Sequence, residues 1–197
     1  MKRTSATILT ICTALLLQAC GSSPSVRYYG LQPIETVYRQ SAAELPILGI
    51  GPLRMPEYLE RSQMVTRGEG SEMLVDDFHR WAEPLDQAIH RTLASNVDSL
   101  VETATVIAFP YNALINVDYR LVGRIERFDA DLNGFAVLVV QWTVGESDGT
   151  VLLSPRRTRY ESRVARPGDP GSNAKAMSDT IAQFSRDIAT EFEKAER

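Results

Sequence analysis

Two segments of the chain carry apolar residues at three- and four-residue spacing, with charged residues between them. The first follows Pro84 and consists of Leu85, Ala88, Ile89, Leu93, Val97, Leu100 and Val101. The second lies near the end of the chain and consists of Met177, Ile181, Phe184, Ile188 and Phe192. This spacing places the apolar side chains on one face of a helix. The sequence therefore predicts two amphipathic helices, each with one buried face.

Elsewhere the pattern is that of β-strands. Apolar runs bounded by Gly, Pro and polar residues predict strands at 26–31, 45–50, 63–66, 72–75 and 105–109. Gly51-Pro52 is expected to end the second of these strands. Strict alternation of apolar and polar residues predicts a long half-buried strand over 115–125.

Two glycine-containing turns follow that long strand. Asn133-Gly134 leads into a strand over 135–144, and Asp148-Gly149 leads into another over 150–164. Such dipeptides favour hairpin turns of the primed type, so we predict a three-stranded antiparallel meander. Pro155 indicates an edge strand or a bulge. The predicted fold class is α/β in the broad sense (α+β): two amphipathic helices packed on a mainly antiparallel, mixed sheet in a single domain.

The first twenty residues predict export. Lys2 and Arg3 precede an uncharged apolar run that ends at Ala19-Cys20. This order is typical of a signal peptide, here residues 1–19, and the apolar run is too short to span a bilayer. The site resembles the lipobox of bacterial lipoproteins, which implies that Cys20 is the acylated first residue of the mature protein. The alternative is a plain secretory signal followed by an incidental cysteine.

Several consequences follow from an acylated Cys20. Residues 20–25 form a short tether and residues 26–197 form the domain. Multiple acyl chains, palmitate among them, hold a protein firmly on a membrane. Gly21 is not the Asp that retains lipoproteins at the inner membrane, so we expect the periplasmic face of the outer membrane.

Composition excludes several classes of function. After Lys2 and Arg3 are removed, 19 basic and 25 acidic residues remain, a net charge of −6, which argues against nucleic acid as a partner. Cys12 lies in the predicted signal peptide, so the mature chain has no disulfide. The sequence contains no nucleophile elbow and no phosphate-binding loop. We therefore expect no enzyme, no catalytic residue and no cofactor.

Metal binding is not predicted either. His79 and His90 have no ligand at helical spacing that would complete a metal pair. The segment from Asp129 through Asn133-Gly134 matches the start of an EF-hand loop, but Val140 stands where that loop requires a bidentate carboxylate. Polar residues around a hairpin turn explain the pattern.

Two segments are candidates for binding. Leu53, Met55, Tyr58 and Leu59 lie in a proline-bounded apolar loop, which either binds a partner or covers the core. Arg157, Arg159 and Arg163 share strand parity, so their guanidinium groups are expected on one face. That face suits lipid phosphates or an acidic partner, and the alternative is an edge strand protected by charge.

Several motifs together resemble a known family. They are Tyr28-Tyr29-x-Leu31, Pro52-Leu53-x-x-Pro56-Glu57-Tyr58-Leu59-x-Arg61, Met64-Val65-Thr66-Arg67 and Trp81-Ala82-Glu83-Pro84-Leu85. With the meander and the final helix, they are similar to the ABC-type transport auxiliary lipoproteins, the PqiC-like group.

This resemblance implies a non-catalytic accessory of an inter-membrane lipid transport system that supports membrane integrity. The implied partner is a mammalian-cell-entry (MCE) domain protein that bridges the envelope, and self-association into a ring-like homo-oligomer would suit that role. The alternative is a structural or assembly lipoprotein of the outer membrane that tethers envelope components without handling lipid.

Overall fold

The structure is a computed structural model that describes residues 24–35 and 45–195. The predicted signal peptide, Cys20 and most of the tether lie outside the described residues. The strands are β1 (Arg27–Tyr29), β2 (Ile47–Arg54), β3 (Gln63–Arg67), β4 (Met73–Trp81), β5 (Thr105–Ala108), β6 (Tyr119–Asp131), β7 (Phe135–Glu146) and β8 (Val151–Arg163). The helices are α1 (Leu85–Leu100) and α2 (Pro170–Ala195), and a short 3-10 helix spans Glu57–Leu59.

All of these strands form one mixed sheet built around β6. One edge of β6 pairs antiparallel with β7, which pairs antiparallel with β8. The other edge has two parallel partners in succession, β2 and then β3. β5 lies outside β2, and β4 and β1 lie outside β3. The predicted fold class, α+β with two helices on a mixed sheet, is confirmed.

The change of partner leaves a gap along β6. Pairing with β2 ends at Arg54 and Arg124, and pairing with β3 begins at Thr66 and Ala130. Residues 55–62 connect β2 to β3, and Tyr58 contacts β6 between these two points. In the gap, the edge of β6 is therefore contacted by residues 55–62 instead of by a paired strand.

Both helices pack on one face of the sheet. The five apolar residues predicted to form a stripe on α2 are all buried, which confirms that helix and its orientation. The Phe184 ring lies 5.4 Å from the Trp142 ring of β7 and 5.5 Å from the Tyr160 ring of β8. α1 packs against β2 and β5.

Several strand predictions were wrong in their extent. The strand predicted at 72–75 continues to Trp81, and the one predicted at 115–125 continues to Asp131. β2 does not end at Gly51-Pro52 but continues to Arg54, because Gly51 adopts φ +108° and the register shifts between Ile50 and Leu53. A bulge of this kind lets a strand pass a residue that cannot join the ladder. β6 begins at Tyr119, not at residue 115, because its pairing with β2 and β7 starts there.

The two hairpin turns are not of the primed type. Gly134 and Gly149 have φ of 84° and 94°, whereas Asn133 and Asp148 do not have positive φ. A type I′ turn needs positive φ at both central residues, so each hairpin instead closes with a turn followed by a left-handed glycine. The Asp148 carboxylate accepts a hydrogen bond from the Thr150 N–H at 2.8 Å, which favours this geometry. β8 is an edge strand with an irregular register near Pro155, as predicted.

Candidate functional site

Two segments that are distant in sequence form a groove of about 870 Å³. Residues 53–62 form one wall, and residues 81–86 form the other. These segments contain two of the motifs that carry the family resemblance. The lining residues are Leu53, Arg54, Met55, Glu57, Glu60, Arg61, Ser62, Trp81, Ala82, Glu83, Pro84, Leu85 and Asp86.

The groove has an apolar floor and a charged rim. Leu53, Trp81 and Leu85 are buried, and Met55 is half-buried. The rim carries four carboxylates and two guanidinium groups, from Glu57, Glu60, Glu83, Asp86, Arg54 and Arg61. An apolar centre within a polar rim is typical of a protein interface. The excess of carboxylates favours a partner segment that carries positive charge.

A buried charge cluster fixes one wall of this groove. The carboxylate of Asp129 in β6 is 0% exposed. It accepts hydrogen bonds from the Tyr58 hydroxyl at 2.9 Å, from Arg67 at 2.9 Å and from Arg127 at 2.8 Å. A buried carboxylate is tolerated when it is paired and hydrogen-bonded in this way. Tyr58 therefore holds the 3-10 helix against β6.

Two groups of this cluster, Tyr58 and Arg67, have pKa values above their ordinary values. Burial, together with the neighbouring Asp129 carboxylate, raises the pKa of Tyr58 to about 12. The hydrogen bond to Asp129 raises the pKa of the Arg67 guanidinium above its ordinary value. The phenol therefore remains a hydrogen-bond donor, and the guanidinium remains charged, at physiological pH.

A histidine of α1 fixes the start of the same wall. The His90 Nε2 atom accepts a hydrogen bond from the backbone N–H of Leu53 at 3.0 Å. Burial lowers the pKa of His90, so the ring is neutral and can accept this bond. A Cβ atom at Gly51 would come within 2.6 Å of the His90 ring, so glycine permits this close packing.

The structure places the four predicted partner-binding residues at different depths. Leu53 and Leu59 are each 4% exposed and belong to the core, and Leu53 also contributes to the floor of the groove. They are buried because β2 extends to Arg54 and the 3-10 helix packs inward. Met55 and Tyr58 are half-buried against the core, and Met55 lines the groove.

Arg157, Arg159 and Arg163 lie on one face of β8, because their register partners are alternate residues of β7. Their guanidinium groups are engaged within the sheet. Arg157 forms an ion pair with Glu126 at 2.8 Å, and Arg159 forms one with Glu161. The Arg163 guanidinium lies 5.0 Å from the centre of the Phe135 ring. Anion binding by these three residues stays a prediction.

The remaining polar clusters show no metal geometry. Within residues 24–35 and 45–195, no three His, Cys, Asp or Glu side chains converge where a metal ion could bind. Asp131, at the start of the predicted hairpin turn, forms an ion pair with Arg127 at 3.3 Å. In the same part of the chain, neither helix has the length and apolar character needed to cross a bilayer.

Comparison with known proteins identifies the class. The ABC-type transport auxiliary lipoprotein component family matches residues 29–189. The chain belongs to this family, which confirms the resemblance seen in the motifs. Membership places it among the envelope lipoproteins that accompany ABC-type transport. A comparison with curated proteins returns no match.

Solved structures share the fold. The crystal structure of an uncharacterized protein is 22% identical and covers 85% of this chain and 99% of its own, with a TM-score of 0.69. Protein XCC0632 from Xanthomonas campestris is 14% identical and covers 86% of this chain and 99% of its own, with a TM-score of 0.65. These similarities extend over nearly the whole described domain.

Proposed function

We propose that this lipoprotein is a non-catalytic accessory at the outer membrane that docks an MCE-domain protein of an inter-membrane lipid transport system. In this proposal Cys20 is acylated and holds the domain at the periplasmic face of the membrane. Family membership supports an auxiliary role in transport. The groove between residues 53–62 and 81–86 is the observation that carries the docking role.

The groove suits a segment of the partner that presents an apolar residue between basic ones. The apolar residue would lie on Met55 and Leu85, and the basic residues would face Glu57 and Glu60 on the rim. Glu83 already forms an ion pair with Arg91 of α1 at 2.5 Å. Its charge is therefore partly neutralised and attracts a basic partner less strongly than Glu57 or Glu60. Charge complementarity of this kind speeds association and selects the partner.

The groove is preformed. Tyr58 and His90 hold its first wall from two sides, and Trp81 and Leu85 of the second wall belong to the core. A rigid surface loses little conformational entropy when a partner binds. This rigidity supports a docking role, because the binding free energy is not offset by ordering of the loop.

We propose that the protein also self-associates through β4. Among the residues that the structure describes, β1 pairs with β4 at residues 79–81, and residues 73–76 of β4 pair only with β3. The side chains of Leu74, Val75 and Phe78 are exposed there. An open strand edge with apolar side chains favours pairing with a second copy. Analytical ultracentrifugation of the full chain in neutral detergent tests this, and a monomer at micromolar concentration contradicts it.

The docking proposal is tested by capture of the MCE-domain protein from detergent-solubilised envelopes. The double variant Glu57→Arg, Glu60→Arg reverses two exposed charges on the rim, so we expect capture to fall by at least about tenfold. The matched control is Glu146→Arg, which reverses an exposed charge at the far end of β7. Thermal unfolding of both variants is expected to match the wild type.

The outcomes separate the two functional hypotheses. Capture by the wild type that is lost only in the rim variant supports docking through the groove. Equal capture by all three proteins contradicts the groove as the docking site. If the wild type captures no MCE-domain protein but retains other envelope proteins, the accessory role is wrong and the tethering alternative replaces it.

A further inference from the structure

One row of polar side chains crosses four neighbouring strands on the face opposite the helices. Arg54 of β2 is the register partner of Arg124 of β6, Arg124 is that of Gln141 of β7, and Gln141 is that of Arg157 of β8. All four residues are exposed. Gln141 faces away from the helices because its neighbour Trp142 packs on α2.

A shallow groove of about 530 Å³ lies along this row. Val122 and Thr143 are register partners beside Arg124 and Gln141, and they form its floor. Pro52 and Pro155 also line it, on β2 and β8. The groove therefore combines charged N–H donors with small apolar surfaces.

The two arginines at one end of the row differ from the third. Arg157 is neutralised by Glu126, whose two carboxylate oxygens lie 3.2 and 2.9 Å from the Arg157 Nε atom. Within residues 24–35 and 45–195, neither Arg54 nor Arg124 forms an ion pair or a hydrogen bond with a carboxylate. Glu126 also attracts Arg124 electrostatically, but its hydrogen bonds go to Arg157.

This arrangement places two positive charges side by side. Neighbouring strands are about 4.8 Å apart, and like charges at paired positions repel each other. An anion between the two guanidinium groups would remove this repulsion. Guanidinium groups bind oxyanions through two parallel hydrogen bonds, and the amide of Gln141 adds a further donor on the same row.

The number of donors favours phosphate. A carboxylate has two oxygens, which a single guanidinium fork occupies, whereas a phosphate presents further oxygens to a second fork and an amide. The apolar side chains of Val122, Pro52 and Pro155 suit the organic part of a phosphate ester. We propose that the groove at Arg54, Arg124 and Gln141 binds a phosphate group, either free or as the headgroup of a phospholipid.

The proposed phosphate site and the groove between residues 53–62 and 81–86, the docking groove, differ in the charge of the residues that line them. Arg54 lines both grooves, but the carboxylates Glu57 and Glu60 line only the docking groove. The charge reversals at Glu57 and Glu60 test docking, and the variants at Arg54 and Arg124 test phosphate binding. Arg124 lines only the second groove, so its variant bears on phosphate binding alone. A failure of one proposal is therefore distinguishable from a failure of the other.

The test uses the full-length chain in neutral detergent and titration calorimetry with inorganic phosphate and with glycerophosphoglycerol, a soluble phosphodiester. Arg54→Gln and Arg124→Gln are each expected to weaken binding about five- to tenfold, because each removes charge-assisted hydrogen bonds. Glu126→Gln is expected to strengthen binding, because it releases Arg157 to the row. The control Arg186→Gln removes an exposed charge from α2 and is expected to have no effect.

A second arm distinguishes the sources of phosphate. Mixed micelles containing phosphatidylglycerol are compared with micelles containing phosphatidylcholine and with the soluble diester. A lipid headgroup is supported if the protein binds phosphatidylglycerol at least tenfold more tightly than the diester. This binding should also be lost in the double variant Arg54→Gln, Arg124→Gln. Equal affinity for the soluble ligands and the lipid supports a free phosphate or small ester.

Three results would contradict the proposal of phosphate binding at this groove. They are no binding of any phosphate ligand by the wild type, binding that is unchanged in the double arginine variant, and binding of an oligoglutamate peptide without binding of phosphate. The double variant is expected to unfold at or above the wild-type temperature without phosphate, because it loses a repulsion between exposed groups. Arg54→Lys, Arg124→Lys keeps both charges and serves as a second variant, with intermediate affinity expected because lysine lacks the planar fork.

Discussion

The neutral imidazole of His90 and the backbone N–H of Leu53 form a hydrogen bond that joins helix α1 to the end of strand β2. This bond exists only while Nε2 is unprotonated, because an imidazolium ring has no acceptor. The segment that follows Leu53 forms the first wall of the groove between residues 53–62 and 81–86. The shape of that wall is therefore linked to the charge of one buried side chain.

We predict that the domain loses stability as the pH falls below about 6.5. Burial holds the pKa of folded His90 below its ordinary value of 6.5, so the unfolded chain takes up a proton first. The stabilisation is complete above that ordinary value and declines as the pH falls toward the pKa of the folded state. The midpoints of urea unfolding at pH 7.5 and pH 5.5 measure this loss of stability. The difference between the two midpoints is expected to be smaller in His90→Gln. The control His79→Gln changes a more exposed histidine, and an equal reduction there contradicts the assignment to His90.

Tyr58→Phe is predicted to destabilise the domain by about 1–3 kcal/mol, because it leaves the buried Asp129 carboxylate with one donor fewer. Equilibrium unfolding in urea measures the change. Tyr28→Phe is the matched control, since the Tyr28 side chain is 64% exposed, and its effect is expected within about 0.5 kcal/mol. Equal midpoints for Tyr58→Phe and the wild type would show that the two arginines alone satisfy Asp129.

Phe184→Ala is predicted to lower the free energy of unfolding by about 3–5 kcal/mol, because the ring fills the space between Trp142 and Tyr160 in the core. Denaturant unfolding measures it, with exposed Arg186→Ala on the same helix as the control. A loss below about 1 kcal/mol would mean that α2 is not firmly packed on the sheet.

Cys20→Ala is predicted to leave the protein uncleaved or free of the membrane, because the substitution removes the thiol that accepts the lipid. Envelope fractionation and intact mass measure the outcome. The wild type is expected to have lost residues 1–19 and gained the mass of its acyl chains. A membrane-bound variant with the mass of the wild type contradicts the assignment of the anchor.

Local patterns predicted most of the elements. The α2 stripe from Met177 to Phe192 and the common face of Arg157, Arg159 and Arg163 follow from the period of a single element, so the sequence is sufficient. The fold class also follows, because two amphipathic helices and a meander have few ways to bury their apolar faces. The proline-bounded segment was predicted either to bind a partner or to cover the core. It lines a groove, and Leu53 and Leu59 are buried, but its binding role stays a prediction.

Features that depend on strand pairing were not predictable from the sequence. Arg54 and Arg124 lie far apart in the chain and become neighbours only because β2 pairs in parallel with β6. The course of β2 past Gly51-Pro52 depends on a bulge and on the space beside His90. The groove, too, arises only when residues 53–62 meet the start of α1. None of these contacts leaves a periodic signal in one segment.

The exchange of β2 for β3 along one edge of β6 has a consequence for substitutions in the segment that joins the two strands. Residues 55–61 bridge the interval between the two strands and do not pair in the ladder, so we expect their replacement to leave the register of the sheet unchanged. Under the docking proposal, we expect the specificity of the groove to change with this segment while the sheet stays the same. A chimera that receives this segment from a relative, with Tyr58 and Asp129 kept, should fold as before and recognise the donor's partner.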